Sequence, residues 1–280
     1  MKSPTLYTIA ALLSAPLTHA TILLDESFDY TAGQTLATAN PAWNQYEVAT
    51  GSSNHIDTVA TNLSVSGLSA SAGGSINLTS SGSGNYRDFT AQTGNVYYSF
   101  ALQVTAVTPF TTTSTLPFIG LNVSGTPGTR YAGVNMIYQS STTYSLGINR
   151  TNSGGNTASG VTLNVGTTYF IVVGFTNSAV ANGDSASIWI NPSSDQFGGS
   201  PLAATATTVV GSSTGTISAI TINHTSGASN TPTFLIDELR VGTTWADVTP
   251  SAIPEPSSVA LLAGGLALCA TTVMRRRSRR

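Results

Sequence analysis

Hydrophobic and polar residues alternate through the middle of this chain with the two-residue period of a β-strand. The pattern is clearest over residues 96–107, where Val96, Tyr98, Phe100, Leu102 and Val104 share one side. Tyr97, Ser99, Ala101, Gln103 and Thr105 occupy the other, so a half-buried strand is predicted. Similar stretches follow at 117–123, 131–138, 143–149, 169–176, 186–191, 216–223 and 233–241, rich in Thr, Val, Ile and Tyr. Turn-forming clusters separate them, among them Ser124-Gly125-Thr126-Pro127-Gly128 and Asn182-Gly183-Asp184. No sustained helical period occurs between residues 21 and 250. So many strands in one unit predict an all-β fold, a two-sheet antiparallel sandwich. The terminal strands, 21–28 and 233–241, are expected to pair and close it.

The two ends read differently. Lys2, an apolar run from Leu6 to Leu17 and Thr18-His19-Ala20 have the layout of a signal peptide over residues 1–20. Cleavage after Ala20 would expose Thr21. At the other end, an apolar run from Val259 to Met274 precedes Arg275, Arg276, Arg277, Arg279 and Arg280. A helix over 257–274 would be about 27 Å long, enough to cross a thin bilayer core. The arginines hold its end in the cytoplasm and place everything before it outside. This predicts one C-terminal transmembrane helix, with the membrane as a transient partner. Residues 21–244 then form the exported domain and 245–253 an exit linker.

Pro254-Glu255-Pro256, a short Gly- and Ala-rich apolar helix and a terminal arginine cluster resemble the PEP-CTERM sorting signal, here residues 254–280. The resemblance implies an exosortase as partner, a membrane-embedded cysteine protease that cuts near Pro254-Glu255-Pro256 and passes the domain to the cell envelope or extracellular matrix. A second resemblance covers most of the exported domain. Asp25-Glu26-Ser27-Phe28-Asp29-Tyr30, Ser187-Ile188-Trp189-Ile190-Asn191-Pro192 and Ile236-Asp237-Glu238-Leu239-Arg240-Val241-Gly242 resemble segments of the concanavalin A-like (laminin G-like) jelly roll. That superfamily includes lectins, carbohydrate-binding modules, glycosidases, lyases and adhesion domains, so the fold leaves activity open.

Charge narrows the partners. Residues 21–250 carry eleven acids against four arginines and no lysine, a net charge of −7, which disfavours nucleic acid. The single cysteine, Cys269, lies in the apolar C-terminal run, so the exported domain has no disulfide. Catalytic signatures are missing. Alternating acids of the Glu-x-Asp-x-Glu kind do not occur, and Asp25-Glu26 and Asp237-Glu238 are adjacent pairs, one member of each expected to face solvent. No Gly-x-Ser-x-Gly is present, and His55 and His224 read as solvated loop residues. No third histidine or cysteine completes a zinc site with them.

Calcium suits the jelly-roll resemblance better. A structural ion that clips the opening segment to the closing strand would use Glu26 and Asp237, the alternative being solvated acids. Trp43, Tyr46, Tyr86, Tyr138 and Tyr144 are candidate sugar-stacking rings, while Trp189 and Phe234 read as core and Trp245 as a cover for one end. The expectation is therefore a non-enzymatic surface or matrix protein. A carbohydrate-binding module with specific polysaccharide affinity and a glycosidase or lyase are the alternatives.

Overall fold

A computed structural model describes residues 21–48, 56–69, 73–79, 83–107, 115–123, 129–151, 155–178, 183–209, 215–224 and 232–252. The expected signal peptide, His55, and the sorting signal with its helix and Cys269 lie outside these residues. Among the described residues, no helix is long and apolar enough to cross a membrane. The strands of the first half are β1 (Ile22–Glu26), β2 (Asn44–Val48), β3 (Asp57–Val59), β4 (Ser75–Leu78), β5 (Ser83–Gln92), β6 (Val96–Ala106), β7 (Thr115–Asn122) and β8 (Tyr131–Tyr138). Those of the second half are β9 (Thr143–Thr151), β10 (Thr157–Ala158), β11 (Leu163–Asn164), β12 (Thr168–Thr176), β13 (Ser185–Ile190), β14 (Ala206–Val209), β15 (Ile217–His224) and β16 (Thr233–Gly242). Two helical turns, α1 (Leu36–Ala39) and α2 (Trp245–Val248), complete the described elements with a 3₁₀ turn at Ser194–Gln196.

The strands form two antiparallel sheets packed face to face as a sandwich. The first has the order β14-β13-β12-β6-β16-β4-β3, with β1 also on β16. The second runs β10-β9-β8-β7-β15-β5-β2, with β11 also on β9. The first and last strands pair as expected, Ile22 opposite Gly242 and Glu26 opposite Leu239. Between the sheets, Phe118 meets Phe234 edge to face at 5.1 Å and Phe100 at 6.0 Å. Burying each such ring contributes on the order of 2–3 kcal/mol.

The half-buried strand predicted at 96–107 is buried on both faces over most of its length. The reason is a second apolar layer outside the first sheet. Residues 60–69 cross that outer face, where Leu63 packs with Ala101 and Leu235. Nearby, Leu68, Phe170, Val172, Phe197, Trp245 and Val248 form a further cluster. Tyrosine, serine and alanine on the outward side of β6 are therefore covered rather than solvated.

Two backbone irregularities break the alternation that a sequence reading assumes. In β16, Asp237 pairs with Ala101 and Arg240 with Ser99, leaving one extra residue between them. Glu238 takes up the difference at φ 54°, a left-handed value uncommon for a residue with a Cβ. In β8, Ala132 does the same at φ 47°.

The expected exit linker, 245–253, is corrected: it belongs to the fold through Ala252. Trp245, Asp247, Val248 and Thr249 are buried, Leu68 bridges Ser251, and Ala252 N–H donates to Gly67 at 3.0 Å. Its stability comes from a capping box. Asp247 Oδ2 accepts the N–H groups of Thr243 and Thr244, both at 2.8 Å, while Thr244 Oγ1 accepts from Asp247 N–H. Asp247→Ala is expected to cost about 2 kcal/mol, the upper end of N-cap losses. Urea unfolding checks it: the midpoint falls at unchanged slope. An unmoved midpoint would rule the cap out as an anchor of this segment.

Candidate functional site

The outward face of the second sheet carries a repeated motif. Gly120-Leu121-Asn122 lies on β7, Gly133-Val134-Asn135 on β8 and Gly147-Ile148-Asn149 on β9. The aliphatic middle residue of each points into the core, so glycine and asparagine face away from it. Thr221-Ile222-Asn223 on β15 continues the layer, with Thr221 opposite both Gly120 and Tyr86. Hydrogen bonds join the members. Thr221 Oγ1 donates to Asn122 Oδ1 at 2.5 Å, and Asn122 Nδ2 donates to the Thr129 carbonyl at 2.8 Å. Asn135 Nδ2 donates to Asn156 Oδ1 at 3.1 Å.

The glycines make room for the amides. A Cβ on Gly133 would stand 2.5 Å from Asn149 Oδ1, and one on Gly147 would stand 2.4 Å from Asn156 Oδ1. Asn122, Asn135, Asn149, Thr221 and Asn223 are all buried, although they face away from the core. Asn149 Oδ1 has no hydrogen-bond partner among the described residues. A buried acceptor left unmet costs about 1–3 kcal/mol.

The bulge at Ala132 decides which neighbour joins this face. Simple alternation from Gly133 would put Tyr131 there. Instead Tyr131 turns inward against Phe175, at 6.0 Å between ring centroids. Arg130 takes the outward place beside Gly120 and donates from Nη1 to Asn223 Oδ1. Tyr98 secures the bulge, its hydroxyl donating to the Ala132 carbonyl at 2.5 Å. Complete burial drives the Tyr98 hydroxyl pKa well above the usual phenol range, so it stays a donor.

Two partly exposed tyrosines flank the layer on the β2–β5 side. Tyr46 lies over Gly84, where a Cβ would come within 2.6 Å of its ring, and Tyr86 is 6.1 Å from it. Asp88 is the exposed acid on the same strand. The arrangement is a polar floor of amides and a guanidinium beside two rings, suited to hydroxyl-rich ligands.

The expected calcium pair is not assembled. Glu26 points inward from β1. It accepts from Tyr30 Oη at 2.8 Å, Trp43 Nε1 at 3.1 Å and Phe28 N–H at 3.1 Å, and pairs with Arg87. Arg87 also lies 5.9 Å from the Trp43 ring centroid. Asp237 points to the other side of the first sheet, accepting from Leu63 N–H at 2.8 Å and Glu238 N–H at 2.7 Å. The Glu238 bulge puts the two acids on opposite faces, and their partners are backbone N–H groups, a phenol, an indole N–H and a guanidinium. This donor set does not fit a divalent metal. Among the described residues, no three His, Cys, Asp or Glu side chains gather into a metal-binding group.

Of the two adjacent acid pairs, Asp25-Glu26 splits as expected, one exposed and one buried. Asp237 and Glu238 are both buried, at 0 % and 2 % exposure, because the bulged Glu238 turns to Arg240. Trp43 and Tyr144 are core residues rather than loop platforms, and Tyr138 is partly buried against the core. Phe234 is core as expected. Trp189 is instead half-buried on the outer face of the first sheet, 5.1 Å from Trp245.

No family model matches the sequence, and no curated protein matches it. Solved structures similar to it include botulinum neurotoxin type C, with 13 % identity, TM-score 0.38 and coverage of 83 % of this chain and 53 % of that one. The PL7 alginate lyase AlyA1 from Zobellia galactanivorans gives 12 % identity, TM-score 0.41 and coverage of 71 % and 94 %. A Trypanosoma rangeli sialidase gives 12 % identity, TM-score 0.42 and coverage of 79 % and 35 %. The chain thus spans about half of the neurotoxin chain and about a third of the sialidase. The site is read from this chain's own residues.

Proposed function

We propose that this chain is an exported, non-enzymatic protein of the cell envelope or extracellular matrix that holds a polysaccharide on the outward face of its second sheet. The observation that carries the reading is the layer of Gly-x-Asn motifs with Tyr46 and Tyr86 beside it. The partly exposed rings of Tyr46 and Tyr86 offer apolar faces for sugar C–H groups, beside a floor of buried amides and a guanidinium held at fixed spacing. Export and delivery rest on the signal peptide at 1–20 and the exosortase signal at 254–280. The described acids favour binding over hydrolysis. Glu26 is engaged by Arg87, Glu238 by Arg240 and Asp247 by a cap, so no two of these stand free as an acid–base pair.

A glycan array and affinity electrophoresis through matrix polysaccharides test the reading. At least one polysaccharide is expected to retard the protein without releasing products. Tyr86→Ala should weaken that binding about tenfold, equivalent to ~1.4 kcal/mol. Gly133→Val, which crowds Asn149, should weaken it further. Binding indifferent to both changes would remove the face from consideration, and steady release of oligosaccharide would overturn the non-enzymatic reading.

A further inference from the structure

The opposite side of the sandwich holds a separate cleft of about 250 Å³. One wall is the crossing segment at Ser64 and Ser66, and the other begins at Asn191. Phe170 of β12 and Phe197 line it and meet edge to face at 5.5 Å, while Thr168 adds a hydroxyl. We propose that this cleft is a second binding site, for a single neutral sugar ring.

Chemistry selects the ligand. Among the described residues no charged side chain lines the cleft, so they offer nothing to neutralise a phosphate, carboxylate or amine. Aromatic edges lie beside two serines, a threonine and an asparagine, which matches a ring with apolar C–H faces and a hydroxyl rim. Its volume is below the roughly 300–1,000 Å³ typical of drug-sized ligands, which limits the occupant to about one ring.

The walls are fixed before any ligand arrives. Leu63 N–H is held by Asp237 at 2.8 Å, and Gly67 lies so close to Ser194 that a Cβ there would come within 2.4 Å. The far wall is tied to α2 and the residue after it. Trp245 Nε1 donates to the Gln196 carbonyl at 2.9 Å, and Gly198 N–H donates to the Thr249 carbonyl at 2.7 Å. Asn191 sits at φ 49°, a left-handed value that asparagine adopts more readily than other residues with a Cβ. It is retained by a reciprocal pair: Asn191 N–H donates to the Phe170 carbonyl at 2.8 Å, and Phe170 N–H donates to Asn191 Oδ1 at 2.7 Å. This arrangement leaves the exposed Asn191 Nδ2 as a donor at the cleft edge. Preformed walls lower the ordering cost of binding.

Because the cleft and the Gly-x-Asn layer face away from each other, a chain using both would bridge two polysaccharide strands. That consequence rests on the proposed function, whereas the cleft itself does not. The purified full chain in detergent, labelled with ¹⁵N, is titrated with the methyl glycosides of glucose, galactose and mannose and with N-acetylglucosamine. Propanol serves as an apolar control. At least one sugar is expected to give saturable shifts of the Ser64, Ser66, Thr168 and Asn191 amides below about 100 mM, the range of millimolar affinity.

Thr168→Val, nearly isosteric, should weaken these shifts at least fivefold. Ser66→Trp should abolish them, and Tyr86→Ala should leave them unchanged. The same shifts with propanol, or none with any of the four sugars, overturn the proposal. Shifts confined to Tyr86 and Asn156 overturn the cleft while leaving the other face's role intact. Cleft shifts with a silent Gly-x-Asn face keep the site and end the bridging consequence.

Discussion

Replacing Glu26 with alanine is expected to destabilise the protein by about 3–5 kcal/mol, the cost of leaving a buried charge without its partner. Few side chains here join so much. The carboxylate comes from β1 in the first sheet, the guanidinium of Arg87 from β5 in the second, and Tyr30 and Trp43 from the segment between β1 and β2. Removing it strands Arg87 and leaves the buried Trp43 Nε1 without its acceptor. Glu26→Gln should recover the Tyr30 and Trp43 bonds but not the ion pair, and so fall between the two. Pairing Glu26→Leu with Arg87→Met should cost less than Glu26→Ala alone, since no unmatched charge remains. Urea unfolding of the four proteins measures this. A Glu26→Ala loss below about 1 kcal/mol would reduce the cluster to the value of a surface salt bridge.

Asp237→Asn is expected to act in the opposite direction and to depend on pH. Burial pushes the Asp237 carboxyl up from 3.8 to about 7, against the opposing pull of the Leu63 and Glu238 N–H groups. Between these values the unfolded chain has lost the proton and the native chain keeps it. The native state then binds more protons, so stability falls as pH rises from about 4 to about 7 and levels off above. At ~1.4 kcal/mol per pKa unit the decline is on the order of 4 kcal/mol. Asparagine keeps an acceptor for one of the two N–H groups and carries no charge. The variant should be more stable than the wild type at pH 8, with the difference shrinking or reversing at pH 4. Parallel stability curves from pH 4 to 8 would show that Asp237 does not titrate in this range.

Much of the architecture was legible in the sequence, and the parts that were not have identifiable causes. The eight strands predicted from alternation all form, their ends displaced by no more than two residues. Strand β5 carries no alternation signal because its inward positions include the polar Asn85 and Arg87, the latter directed to Glu26. Residues 60–69 pair with no strand over most of their length, so nothing in their periodicity announces that they cover the first sheet. The bulges at Ala132 and Glu238 leave no local signal, yet they decide that Arg130 faces outward and that Glu26 and Asp237 never meet.

The candidate face does leave a trace in the sequence. Gly-aliphatic-Asn recurs three times on neighbouring strands, and a period of two within each motif places glycine and asparagine on one side. Each instance looks ordinary alone. Their meaning lies in the strand order β9-β8-β7, which only the folded chain supplies.

That same fold determines how tension would enter the molecule. A pull on the chain beyond Ala252 first meets the Leu68–Ser251 bridge and the Asp247 cap, both small and local. Past them lies β16, a strand hydrogen-bonded along both edges to β6, β1 and β4. To draw it out, many hydrogen bonds must slide together instead of parting one by one. The closing strand is thus also the chain's mechanical spine, with a weak clasp at its C-terminal side that would give before the sandwich does.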